Sequence, residues 1–403
     1  MEKKRHSLSG VFWLLTGLSC LTTICLQMTV TALPLWTVNR GYDTAAAGLS
    51  TTVCTLTALF FRPAGAGVLR RWGEKNGAVL GAVLYVAVFL LYLPCSSLWF
   101  LLVLRAVQGV GMSLLTTSLG SLVTACLAPE DRTQGMGYFG LGNAVALSAG
   151  PSLGLLLSQG DNFQGLFLAG AALSGVILVS LLALRGKAAP GKAEAPEESG
   201  RETGEKNPRG ASFWKLSKES GALWPSGLSM LLIFCQMALS TCLSFWGKEN
   251  GMEDVSLFFT VNLLGMIVSR LFLGNLCRRV GERIPAVSAA VLLAASYLLL
   301  GVWMNPVSLW ISGVLYGFGY GILYALLNGA AVKFSREENR AAANAVFFGA
   351  KDLGTALGSA AWGAAQSWGL GGGMYGIGAG VSLLVGVFYA RPRAALRGKK
   401  ARG

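Results

Sequence analysis

Two short stretches hold the residues with chemistry to offer. The first is L-V-L-R-A-V-Q-G-V-G at 102–111, where Gln108 and Gly109 follow Arg105 by three and four places. On a helix these three share a face. The surroundings are apolar, and an arginine inside a membrane costs about 2.5–3.5 kcal/mol on insertion scales. Such a charge turns to a bundle interior or a wet cavity. There it serves a proton or solute path, or it bonds helix carbonyls as a purely structural group. The second stretch is F-F-G-A-K-D-L-G-T-A-L-G-S at 347–359, with Asp352 amid apolar residues and Thr355 and Ser359 on its face. Removing a carboxyl from water favours its neutral form, the property a proton carrier needs. Lys351 is adjacent in sequence, and neighbouring helix positions do not face each other. Asp352 is therefore the expected proton site, with Arg105 or Lys351 as its modulator. The alternative is a fixed structural pairing of Lys351 and Asp352 with neighbouring helices.

Other chemistries lack their residues. His6, in the N-terminal tail, is the only histidine, and none of the eight cysteines makes a C-x-x-C pair. A metal site, a disulfide framework and histidine-based catalysis are not expected. No G-x-x-x-x-G-K-[ST] loop is present, so ATP hydrolysis is not expected either. The reading is of a chain that is no enzyme and carries no metal or cofactor.

The elements that must hold these residues follow from composition. Of 403 residues, 53% are hydrophobic and 13% charged, about half the usual charge of a soluble chain. Apolar segments fall near 11–38, 45–66, 77–96, 98–122, 134–158 and 163–184, then near 222–246, 255–276, 285–304, 308–331, 341–366 and 373–390. Each is near the ~20 residues that a membrane helix needs, and lipid forces a spanning backbone to bond within itself. The run after Lys3, Lys4 and Arg5 continues to about Trp36, too long for a signal-peptide core.

The net charge of +14 reads as basic loops on one face of a membrane rather than as nucleic-acid binding. With both termini cytoplasmic, only Arg40 and Lys248 fall on the opposite side, and Arg105 and Lys351 lie within helices. The stretch 186–221 mixes charges with Pro190, Pro196 and Pro208, a composition for a tether rather than a fold.

The two apolar blocks repeat each other. A shift of 208 carries Arg62, Arg70, Arg71, Gly73 and Glu74 onto Arg270, Arg278, Arg279, Gly281 and Glu282. The same shift takes Gly109 and Gly111 to Gly317 and Gly319, and Gly150 to Gly358. Arg105 maps to Gly313, so its charge belongs to one half alone. Two parallel six-helix repeats around a midplane site are a transporter architecture.

Three motifs make the resemblance specific. The 2–3 loop at 62–75, R-P-A-G-A-G-V-L-R-R-W-G-E-K, is similar to the G-x-L-A-D-R-x-G-R-K pattern of the major facilitator superfamily. Arg71 and Gly73 fit it. Ala66 stands at the leading glycine and Arg70 at the acid, and the repeat copy has Gly274 and Arg278 there. The helix-4 stretch resembles R-x-x-Q-G-x-G. G-P-S-L-G at 150–154 resembles G-P-x-x-G-G of the drug/proton antiporter branch, with Leu155 for the last glycine. Upstream, Gly137 fits that longer motif and Ala146 replaces a glycine.

The resemblance implies an all-α membrane protein, twelve transmembrane helices in two six-helix pseudo-symmetric bundles. The bundles are 1–185 and 222–403, joined by a cytoplasmic linker at 186–221. It implies gating by Arg70, Arg71, Gly73, Arg278, Arg279 and Gly281, with Glu74 and Glu282 able to replace the missing acid. Gly109, Gly150, Pro151 and Gly154 would pack or bend helices as the halves rock. A cavity between the halves would draw on Gln27, Trp36, Gln108, Gln236, Trp246, Tyr316, Tyr320 and Tyr324. Aromatics with a few amides suit an amphiphilic solute. The implied protein is a monomer in the cell membrane that exports a small organic solute by proton antiport and alternating access. Its partners are that solute, protons and the lipid bilayer, with no nucleic acid. A proton-coupled uptake permease of the same fold is the closest alternative. A non-transporting membrane sensor or scaffold, tolerant of Asp352→Asn, is a more distant one.

Overall fold

The computed structural model describes residues 9–127, 132–158, 162–184, 222–252, 254–333 and 340–391. The tail with His6, the tether at 186–221 and the side chain of Arg70 lie outside the described residues. Twelve helices make up nearly all of the rest: α1 (Gly10–Asn39), α2 (Thr44–Trp72), α3 (Glu74–Tyr92), α4 (Leu98–Ala125), α5 (Arg132–Leu157), α6 (Gln164–Ala183), α7 (Leu223–Glu249), α8 (Ser256–Val280), α9 (Arg283–Val302), α10 (Pro306–Lys333), α11 (Arg340–Ser367) and α12 (Gly373–Ala390). Eleven are long and apolar enough to cross a membrane. The exception, α11, has the length but is rich in Ala and Gly and carries Lys351 and Asp352 mid-helix. Large apolar side chains such as Phe60, Trp99 and Val179 stand exposed, a surface that lipid rather than water can cover.

Local chemistry sets the helix ends. Ser9, Asp43 and Ser97 cap α1, α2 and α4 by accepting from backbone N–H groups of the first turn, which satisfies donors with no helical partner. The 62–75 stretch departs from the loop expected there. Residues 62–72 continue α2, and the turn shrinks to Gly73. Pro63, Gly65 and Gly67 are poor helix formers, yet the helix runs through them and ends only at Gly73. Gly73 has φ +83°, and its repeat mate Gly281 ends α8 with φ +76°. A side chain is strained in that left-handed region. Inside α7, Ala238–Cys242 form one π turn.

The described chain forms two compact units. One holds residues 9–184 with 355–367, the other 222–354 with 368–391. In the first, α1 packs on α5, α2 and α3 on α4, and α3 on α6. In the second, α8 and α9 pack on α10, and α9 on α12. Glycines allow the closest approaches. A Cβ added at Gly109 would run into the Cys54 carbonyl of α2, and one at Gly317 into the Asn262 carbonyl of α8. The first unit also ties α2 to the C-terminal segment of α11 it contains, through Thr44 Oγ1 to the Gly363 carbonyl (3.0 Å) and Thr52 Oγ1 to the Ala356 carbonyl (2.9 Å).

Candidate functional site

Each unit encloses a polar cluster around a buried charge. In the first, four helices converge on Arg105, whose side chain is completely buried. Its Nε donates to the Ser50 carbonyl of α2 at 3.0 Å. Its Nη1 donates to Thr29 Oγ1 of α1 at 3.1 Å and to Gln108 Oε1, one turn on in α4, at 2.7 Å. Tyr92, at the end of α3, donates its hydroxyl to the same Gln108 oxygen at 2.8 Å. No carboxylate pairs with Arg105 among the described residues, and its Nη2 has no hydrogen-bond partner there. Neutral acceptors therefore carry the buried charge. Charge-assisted bonds are about twice as strong as neutral ones, so the cluster cross-links α1, α2, α3 and α4.

In the second unit the cluster is aromatic and charged. Tyr316, Tyr320 and Tyr324, a turn apart on α10, stack with centroids 5.6 and 5.4 Å apart and planes 12° and 8° apart. Tyr297 of α9 meets Tyr316 edge-on at 5.7 Å, and Phe347 of α11 meets Tyr324 at 5.7 Å. Tyr324 lies in the electrostatic field of both Arg270 of α8 and Asp352 of α11. Asp352 is 1% exposed, and Lys351 Nζ stands 3.5 Å from its Oδ1. This corrects the expectation that the two side chains point apart. Successive Cα positions do diverge, but a four-carbon lysine stem bends back to a charge.

The other expected residues scatter. Gln27 is buried under α5, where Gly150 abuts its Cβ and Gly154 abuts the Met28 backbone. Pro151 sits between these glycines in an unbroken α5. Asn143 of the same helix accepts from Ser19 (3.1 Å) and Thr23 (2.9 Å) of α1. Trp36 is far along α1 from Gln27. It lines a pocket of about 310 Å³ with Asn39, Arg40, Asn162 and Phe163, and the Arg40 guanidinium lies 4.8 Å over its ring. Trp246 donates Nε1 to the Leu300 carbonyl at 2.9 Å and packs on Gly371 and Gly372, an anchoring role inside its unit. Gln236 is half-buried, two residues before the π turn.

Around the basic motifs, Arg71, Arg278 and Arg279 are exposed, and Arg278 donates to Asn275. Glu282 accepts from Lys333 Nζ at 2.9 Å and from the Tyr389 hydroxyl at 3.2 Å. In the first repeat it is Lys75 that binds, donating to the Leu184 carbonyl at 2.6 Å.

Sequence reasoning missed Thr29, Ser50 and Tyr92 as partners of Arg105. It also counted Arg270 with the basic groups around the eighth and ninth helices and gave it no role in a site. The signal for Arg270 was its place within an apolar run, and α8 continues to Val280 beyond it.

Residues 13–359 and 251–403 match the Major Facilitator Superfamily. The chain is 23% identical over 173 residues to the uncharacterized MFS-type transporter YvkA of Bacillus subtilis (strain 168), a match over 42% of this chain and 39% of that one. It is 31% identical over 139 residues to the probable anion transporter 4, chloroplastic, of Arabidopsis thaliana, over 33% of this chain and 25% of that one. The chain thus spans less than half the length of these two curated relatives. Its fold is similar to the nucleoside transporter NupG (TM-score 0.73, 14% identity, 94% of this chain and 99% of that one). It is also similar to the human organic anion transporter MFSD10 (TETRAN) (TM-score 0.67, 16% identity, 94% and 99%). At such identities the likeness is one of fold. Apolar blocks related by a constant shift, eleven apolar spans and a match over most of the sequence agree: the chain is a multi-pass membrane protein belonging to the major facilitator superfamily.

Proposed function

We propose that the chain is a proton-coupled secondary transporter of a small organic solute, working by alternating access with Asp352 as its proton site. One observation carries this reading. Asp352 is the sole acid among the described helices more than a turn from a helix end, and it is shut from solvent beside a lysine. A buried carboxyl whose counter-charge can leave switches between its ionised and neutral forms.

Export by exchange, the direction implied by the helix-5 motif, requires solute and proton to compete for Asp352. A second reading, uptake with co-moving protons, is favoured by the identity of the partner. A solute anion that draws Lys351 away leaves Asp352 to take up a proton, so both cross together. The chloroplastic relative described as a probable anion transporter is in keeping with that second reading.

The test is proton flux in proteoliposomes challenged with amphiphilic cations and with organic anions, wild type beside Asp352→Asn. Solute-triggered proton movement that the variant loses is the expected result, and its sign separates exchange from co-movement. Undiminished flux in Asp352→Asn overturns the assignment of the proton site.

A further inference from the structure

The charges inside the second unit do not balance. More than a turn from any helix end it carries two basic residues, Arg270 and Lys351, and one acid, Asp352. The acid is already beside Lys351. The groups whose fields act on Arg270 are Tyr320 and Tyr324, not a carboxylate. The other nearby acid on the α8–α9 turn, Glu282, is occupied by Lys333 and Tyr389. Arg270 Nε is buried with no hydrogen-bond partner among the described residues, and so is the hydroxyl of Tyr320, which is 1% exposed. A buried guanidinium nitrogen and a buried hydroxyl left unmatched are costly, and an intramembrane charge normally faces a partner or a solute path.

We infer that Arg270, with the Tyr320–Tyr324 stack and Lys351, forms a binding site for an organic carboxylate with a flat or aromatic body. The guanidinium presents parallel N–H groups that match a carboxylate edge. The stacked rings flank that charge, and the Tyr320 hydroxyl is a buried donor that a carboxylate reaching it would satisfy. Lys351 and Arg270 both keep part of their side chains accessible, while Asp352 is closed. The carboxylate therefore meets the two cations before it meets the acid. This assignment rests on the transport reading but not on the proton site, and it favours co-movement over exchange.

The test is equilibrium binding to the purified full-length chain in detergent, followed by thermal stabilisation. The probes are benzoate, indole-3-acetate and succinate, with benzamide, benzylamine and inorganic phosphate as controls. The aromatic carboxylates should stabilise the wild type saturably, and the neutral, cationic and phosphate probes should not. Arg270→Gln should weaken benzoate by about tenfold or more, Arg270→Lys by less, and Tyr320→Phe by a few-fold. Three outcomes overturn the inference: no carboxylate binds, benzamide, benzylamine or phosphate binds as well as benzoate, or a folded Arg270→Gln keeps wild-type affinity. The wild-type panel decides the first two without any variant. Binding needs no gradient, so a failed proton-flux experiment leaves this result standing, and the reverse holds too.

Discussion

The two repeats share a frame and differ in what they put inside it. In the first, Gly109 lets α4 against the backbone of Cys54 and Ala58, while Gly111 abuts Gly81 and Tyr85. In the second, Gly317 abuts Asn262 and Met266, and Gly319 abuts Ala289 and Leu293. Each of these six partners and glycines is related to its mate by the shift of 208. At the chemical centre the likeness ends. Arg105, Gln108 and Tyr92 map to Gly313, Tyr316 and Leu300. Ser50, whose carbonyl accepts from Arg105, maps to Phe258. The Phe258 carbonyl comes within 2.9 Å of where a Cβ on Gly313 would lie. The first repeat fills the space between its helices with a hydrogen-bonded guanidinium, and the second closes that space by backbone contact. Fold is held in common by steric demand, whereas the chemistry is placed once in each half.

The largest expected effect tests the shared frame. A valine at Gly109 or at Gly317 pushes branched carbons into a carbonyl that cannot move without its helix. Each should cost about 3 kcal/mol or more, the upper end of overpacking, and the two losses should be alike. Thermal unfolding of the detergent-solubilised variants checks this. A marked inequality would break the claim that the frame is equivalent in both halves.

Next in size is Arg105→Met. The variant removes the bonds to the Ser50 carbonyl, Thr29 Oγ1 and Gln108 Oε1, and a hydrogen bond to a charged group contributes about 1.5–3 kcal/mol. Part of that is returned by removing a charge that had no counter-ion. About 2 kcal/mol of lost stability is expected from the same unfolding measurement. A stabilised Arg105→Met would mean that the arginine is kept for transport alone.

A paired substitution sharpens the contrast further. Tyr92→Phe removes a 2.8 Å bond to Gln108 and should cost about 1 kcal/mol. Tyr320→Phe removes a hydroxyl that bonds to nothing among the described residues, so the empty protein should be as stable as wild type or more so. Differential scanning fluorimetry of the two variants without added solute separates these outcomes.

What was legible in the sequence follows the same division. Helices were readable because lipid imposes length and composition, and the paired glycines because a repeat exposes positions where two backbones meet. Partners of Arg105 were not readable. They come from α1, α2 and α3, and a sequence does not give the vertical register of one helix against another. Asp352 stood out as an acid in an apolar run, but its pairing with Lys351 depends on how a flexible stem bends. Arg270 was hidden by its own repeat. Its mate Arg62 stands near a basic turn, so both were counted with the basic groups of that face, although α8 buries part of Arg270 beside the tyrosines.

The smallest effect lies at the ends of the repeats, where the turn after Gly73 is compared with that after Gly281. Lys333 and Glu282 form a 2.9 Å ion pair, but their side chains are 62% and 42% exposed. Solvent competes for both charges, and exposed pairs contribute about 0–1 kcal/mol. Lys333→Met should therefore shift the unfolding temperature only slightly, and the shift should vanish in about 1 M salt, where charges a few ångströms apart are screened. Lys75 instead donates to the Leu184 carbonyl at the end of α6. That acceptor is neutral and both residues are half-buried, so Lys75→Met should keep most of its effect in salt. Equal salt sensitivity in the two variants would mean that the turns differ in sequence only and that both basic groups act as solvated charges.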